Sequence, residues 1–132
     1  MKVSVDTNIL IRAVVRDDPA QAALATKALK DATLIAVSIP CLCEFVWVLR
    51  KLYGYESDVI ANAIRSLINA QNVVTHHPAV ELGLSIMDAG GDFADGVMAF
   101  EGARLGGEIF LSFDKKAVTL LSKHGSLAKL LK

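Results

Sequence analysis

Five carboxylates stand where side chains can do chemistry: Asp6, Glu44, Asp92, Asp95 and Asp114. Asp6 follows the alternating run Val3-Ser4-Val5 and Asp114 follows Ile109-Phe110-Leu111-Ser112-Phe113, so each sits on a turn leaving a short strand. In open α/β sheets ligands lie at those carboxyl ends. If both strands run near the centre of one parallel sheet, the two acids share an edge. Glu44, early in the helix after the second strand, falls near the same edge, and Asp92 and Asp95 occupy the first turn of a helix preceded by Gly90-Gly91. Carboxylates that converge without a cation repel one another strongly at low effective dielectric. Hard oxygen donors suit Mg²⁺ or Mn²⁺, which keep several waters and meet substrate phosphates. The chemistry implied is metal-assisted hydrolysis of a phosphodiester.

Each acid also has a plain structural use. Asp6 can close an Asx-type turn with Asn8. Asp92 is an obvious N-cap, and Asp95 three residues later completes a capping-box-like pair in the favourable end of the helix dipole. Asp114, ahead of Lys115-Lys116, can cap the last helix. Glu44 is harder to dismiss, being the single charge in IPCLCEFVWVL, where a carboxylate is costly unless paired or bound to a cation. Elsewhere the structural use prevails. His76-His77 reads as loop before Pro78, His124 as a residue near a helix C-terminus, and Phe45 and Trp47 as core or interface.

The elements that must position these acids follow from local signals. Thr7-Asn8 opens a helix with Ile9-Leu10-Ile11. Asp18-Pro19-Ala20-Gln21 reads as N-cap, first-turn Pro and reciprocal Gln for a helix ending near residue 31. The apolar run Thr33-Leu34-Ile35-Ala36-Val37 is a buried parallel strand. Ser38 caps a helix that runs to about residue 53, with Gly54 as its stop. A helix over about 57–69, a brief strand Val73-Val74-Thr75, a helix from Pro78 to Gly90-Gly91 and another over 92–105 come next. The strand 109–113, a helix over 115–123, and a tail 126–132 readable as strand or helical turn complete the chain. Strands alternating with helices imply parallel pairing and a three-layer α/β/α sandwich around a mainly parallel sheet.

With 132 residues and a hydrophobic share of 53%, the chain is expected to form one domain over 1–132. No stretch nears the ~18 apolar residues of a membrane span, and Asp6 and Arg12 interrupt any signal-peptide pattern. Cys41 and Cys43 make neither a disulfide framework nor a zinc site, which suits a reducing cytoplasm. The 14 basic and 14 acidic residues cancel, so no general basic surface is visible in the totals.

The assembled segments resemble PIN-domain proteins, and more narrowly VapC-type ribonuclease toxins of toxin–antitoxin pairs. The matching stretches are VDTNILIR around Asp6, CEFVWVL around Glu44, GGDFADGVMA around Asp95 and FLSFDKKA around Asp114, with RDDPAQAA and LRKLYGY as further likenesses. The resemblance implies that Asp6, Glu44, Asp95 and Asp114 form an acidic quartet holding Mg²⁺ or Mn²⁺. It also implies that Thr7 and Asn8 orient Asp6 and the metal waters, that Asp92 is an adjacent supporting acid, and that Arg12 belongs to an RNA-binding rim. RNA as substrate, a cognate antitoxin and a homodimer are the partners it implies. Gly96-Val97-Met98 departs from the expected Ala-Leu-Ile, and Ser112 from Thr. Gly96 is expected to loosen its helix by up to ~1 kcal/mol relative to Ala. Discounting the quartet leaves 14 basic against 10 acidic residues, a net of +4 available to a phosphate backbone.

Two other readings compete. A phosphoryl-transfer domain of the receiver or haloacid-phosphatase type fits poorly, since Asn8 stands where the phosphatase needs a second Asp. It also lacks a receiver's acceptor, because the third strand leads into His76-His77. A non-catalytic PIN-like binding module that retains the metal site is the main alternative to the nuclease.

Overall fold

Three very short strands pair in parallel in the computed structural model, which describes residues 1–132: β1 (Lys2–Ser4), β2 (Leu34–Ala36) and β3 (Val73–Val74), in the order β1-β2-β3. Val3 lies opposite Ile35, and Ile35 opposite Val73. Parallel neighbours require a crossover between them, and here each crossover is a pair of helices. Helices α1 (Thr7–Val15) and α2 (Pro19–Asp31) join β1 to β2, and α3 (Ile39–Lys51) and α4 (Ser57–Ile68) join β2 to β3. The two helices expected from sequence in each of these crossovers are both present. Together Met1–Thr75 form one compact unit.

The helix starts follow their caps. Asp18 Oδ1 accepts from the Gln21 N–H at 3.1 Å with Pro19 in the first turn, and Ser38 Oγ accepts from the Cys41 N–H at 3.3 Å. Helix α3 closes at Lys51, slightly sooner than expected, and Gly54 at φ +70° turns the chain toward α4. Helix α1 packs against both α2 and α3. Phe45, Val46 and Leu49 on α3 are fully buried, which makes them core and not a partner surface, whereas Trp47 is 55% exposed. Asn72 Nδ2 donates to the carbonyls of Leu29 and Ala32, fastening the end of α2 to the approach to β3.

The second unit, His76–Lys132, contains α5 (His77–Asp88), α6 (Phe93–Arg104), β4 (Phe110–Ser112), α7 (Lys115–Lys123) and β5 (Ala128–Leu130). The C-terminal tail resolves as a strand: β5 pairs in parallel with β4, Lys129 opposite Leu111, with Phe110 N–H donating to Leu127 O and Leu131 N–H to Ser112 O. Seven helices and uniformly parallel strands make this an α/β sandwich fold. The strand pairing nevertheless differs from expectation. β1 is an edge strand of a three-stranded sheet and β4 pairs only with β5, so pairing does not set Asp6 and Asp114 on one common sheet.

Helices α5 and α6 make the tightest packing in the second unit. A Cβ on Gly96 would lie 2.7 Å from Gly83 Cα and 2.8 Å from the Leu82 carbonyl oxygen, and one on Gly83 would meet Phe93 and Val97 below 3 Å. The two backbones touch through paired glycines. Gly96 is therefore not the loosening substitution its helix propensity suggests, because its missing side chain is what lets the helices approach. Gly90 at φ +95° makes the turn between them. Ile86, Ala99, Leu120 and Leu121 form the buried cluster, with Leu82, Phe110 and Ala128 packed against it.

Candidate functional site

Asp6 occupies the N-cap position of α1 with extended backbone angles, yet its side chain caps nothing. The Asx bond to Asn8 anticipated as its structural use is not formed, and the carboxylate is left unspent. The next residue, Thr7, is buried at 5% exposure, and its hydroxyl donates to Cys41 Sγ at 3.8 Å on α3. That contact sets the start of α1 on α3, three residues from Glu44. The Cys41 thiol is pushed up from its ordinary pKa by burial first, with the hydrogen bond from Thr7 opposing; the negative charges of Asp6 and Glu44 raise it further. Both acids therefore sit within electrostatic reach of one sulfur.

Glu44 itself is exposed on the solvent face of α3. The expectation that it was a costly charge in an apolar stretch fails for a simple reason: the helix turns it away from Phe45 and Val46 into water. It makes no hydrogen bond or ion pair. Asn8 and Arg12, one turn apart on α1, face Gln21 and Leu24 of α2 across a cavity of about 520 Å³. Arg12 Nη1 pairs with Asp17 Oδ1 at 3.0 Å, and Tyr53 donates its hydroxyl to the other oxygen of Asp17 at 3.0 Å. Those contacts hold the Asp17 carboxyl below its usual range, through the Tyr53 bond first and the Arg12 guanidinium second.

In the second unit three acids gather. Asp92 caps α6 by accepting from the Ala94 N–H at 3.2 Å. Asp114 caps α7, its Oδ1 accepting from the Lys116 and Ala117 N–H groups at 2.9 and 3.2 Å. Ser112, the residue standing in for Thr, accepts from the Asp114 N–H through its hydroxyl and so shapes the turn. The structural uses anticipated for Asp92 and Asp114 are thus real, but both Asp114 bonds go to Oδ1 and Oδ2 is left over. Asp95, half-buried in the first turn of α6, makes no such bond. Its pKa is raised, by burial first and then by the charges of Asp92 and Asp114.

A residue read from sequence as loop proves to be built into a network. His76 stands at the N-cap of α5; its Nδ1 lies 2.6 Å from Glu101 Oε1 and its Nε2 lies 2.6 Å from Arg104 Nη1, both on α6. Guanidinium only donates, so Nε2 accepts and the ring proton sits on Nδ1, donated to Glu101. The Phe100 ring meets the imidazole edge-on, 5.4 Å between centroids. His124 behaves as expected, its Nδ1 donating to the Leu120 carbonyl at the end of α7.

The acids thus fall into two groups, Asp6 with Glu44 and Asp95 with Asp92 and Asp114. No cluster of three or more His, Cys, Asp or Glu side chains is drawn close enough to hold a metal ion. In chemistry the donor set still fits a hard divalent cation. It is all oxygen, Asp6, Glu44 and Asp95 carry no competing hydrogen bonds, and like charges crowd Asp95. The PIN-domain sequence model matches residues 3–120. This chain is a member of the PIN-domain family. No curated protein sequence matches it. The PIN domain generally indicates a metal-dependent nuclease fold that binds RNA and uses divalent cations such as Mg²⁺. No helix of this PIN domain is long and apolar enough to cross a membrane.

Proposed function

We propose that this protein is a metal-dependent endoribonuclease of the VapC type, the toxin of a toxin–antitoxin pair, in which Asp6, Glu44, Asp95 and Asp114 hold Mg²⁺ or Mn²⁺. The two units act as one domain over residues 1–132, homodimeric and cytoplasmic, with a cognate antitoxin that restrains it. The observation that carries the reading is Asp6: a carboxylate at a helix N-cap that caps nothing, sharing the Cys41 surroundings with Glu44, in a chain of the PIN family.

Within this reading the residues divide their work. Thr7, through Cys41, fixes the first turn of α1 on α3 and so holds Asp6 in relation to Glu44. The α7 cap immobilises Asp114 by one oxygen and leaves the other for coordination. Asp92 keeps the first turn of α6 in place and adds negative potential at Asp95. Asn8 supports the waters beside Asp6. Arg12 contributes to the RNA rim while Asp17 holds it through Nη1. A bound Mg²⁺ or Mn²⁺ supplies an acidified water and neutralises charge developing on the phosphate.

The test is cleavage of total cellular RNA, including tRNA and rRNA, by antitoxin-free protein with Mg²⁺ or Mn²⁺, mapped by end sequencing. Discrete cuts are expected, and these disappear with chelator and in Asp6→Asn or Asp95→Asn proteins that still fold. Full activity in either variant overturns the assignment. Intact RNA under every metal condition moves the reading to a binding module that keeps the fold without the reaction.

A further inference from the structure

The second unit contains a cavity of about 320 Å³, walled by Leu82, Phe100, Ala103, Glu108, Phe110 and Ser126 among others. This is at the small end of ligand-binding cavities, roughly 300–1,000 Å³. It opens where the chain enters β4 and β5, whereas Asp114 lies beyond the far end of β4, about 3.3 Å further per residue. Neither Glu108 nor Ser126 spends its side-chain polar atoms on another residue. The cavity therefore offers two phenyl rings, a carboxylate with both oxygens free and a free hydroxyl.

Next in sequence to the lining residue Ala103 is a prepared cation. Arg104 is one helical turn from Phe100, so the two share a face of α6. Its Nη1 is tied to His76 Nε2, His76 is anchored in turn by Glu101, and the same imidazole packs against the Phe100 ring. The network that holds Arg104 thus also holds the aromatic wall. Four of the five Arg104 donors remain available for an anion.

We propose that this cavity is a nucleotide subsite selective for guanine, with the base between Phe100 and Phe110, its Watson–Crick edge on Glu108, and its phosphate on Arg104. Every base presents a π-face, so the phenyl rings give affinity without choice. Choice comes from Glu108. A carboxylate is acceptor-only, and guanine offers two adjacent donors, N1–H and the N2 amino group, that fill both oxygens. Adenine, cytosine and uracil each leave at least one oxygen unpaired or facing an acceptor. The inference rests on the ribonuclease reading for its biological substrate.

The test uses the full chain in chelator, with GMP, AMP, CMP, UMP and inorganic phosphate as probes and amide NMR shifts as the readout. GMP is expected to shift Gly107, Glu108, Ser126 and Leu127 and to bind about tenfold more tightly than the other mononucleotides, the discrimination typical of a paired base edge. Glu108→Gln should erase that preference, because an amide offers the guanine edge one acceptor and one donor in place of two acceptors. Arg104→Gln should weaken all four nucleotides by a similar factor. Equal binding of the four by the native protein overturns the proposal, as does inorganic phosphate matching GMP at the same amides or an absence of shifts there. Mononucleotides have no internucleotide bond and the metal is chelated, so failure here leaves the cleavage test untouched. Loss of cleavage in the RNA assay likewise leaves this binding result standing.

Discussion

Ionising Asp95 works against the folded state, because burial and the charges of Asp92 and Asp114 favour its neutral form. A pKa raised on folding means the native state holds the proton more tightly than the unfolded chain. The penalty is absent below the unfolded carboxylate value of about 3.9, grows as pH rises through the raised native value, and is complete above it. Asp95→Asn should therefore raise the melting temperature of metal-free protein at neutral pH, with the advantage vanishing in acid; circular-dichroism melts in chelator across pH check this. At Asp114 two roles separate. Asp114→Asn keeps an oxygen for the Lys116 and Ala117 N–H groups, whereas Asp114→Ala loses the cap at about 1 kcal/mol. Both should abolish cleavage, and only the second should lower stability in urea titrations. At this scale the sequence revealed position better than environment. Asp6 and Asp114 were visible because each ends a strand. Glu44 was singled out for an apolar setting that helix rotation removes. His76 was missed because its partners lie 25 and 28 residues away, and nothing local announces them.

Helices α5 and α6 carry the clearest prediction for an element. Gly96→Ala gains up to ~1 kcal/mol in helix propensity but drives a methyl into the Gly83 Cα and the Leu82 carbonyl. Overpacking of this kind costs about 1–3 kcal/mol, so net destabilisation is expected by urea unfolding, and a more stable Gly96→Ala protein would contradict the close backbone contact. Element boundaries were readable wherever a cap or a glycine marks them, as at Asp18, Ser38 and Gly90. The tail was ambiguous because Ala128-Lys129-Leu130 has too few residues to show a period, and only its pairing with Phe110-Leu111-Ser112 makes it a strand. The same shortness hid how the strands divide between two sets, since hydrophobic alternation says nothing about which neighbour a strand chooses.

For the molecule as a whole, the proposed ligands come from both units, and binding should show it. Saturating Mn²⁺ at about 100 times its dissociation constant stabilises a native state by roughly 2.7 kcal/mol. Slow-exchanging amides of both Met1–Thr75 and His76–Lys132 should gain protection in hydrogen exchange. Protection confined to one unit would break the quartet, and Asp95→Asn should remove the effect throughout. The α/β class and the family were legible over most of the chain, because four separated segments hold their order and the family match runs from 3 to 120. The cavity proposed as a nucleotide subsite was not, since Phe100, Glu108 and Ser126 acquire a common cavity only through folding.

The glycine contact between α5 and α6 also constrains how this chain can change over generations. A bulkier residue at 96 finds no remedy at 83, which already has the smallest side chain, and a bulkier residue at 83 runs into Phe93 and Val97. Stepwise exchange of size across the crossing, the usual way a helix pair drifts, is closed to it. The turn bearing Asp92 and Asp95 and the histidine at the start of α5 are therefore inherited as one block. New specificity enters more easily through side chains outside the crossing, such as Glu108, Ser126 and Leu127, which line the cavity at the start of β4 and β5.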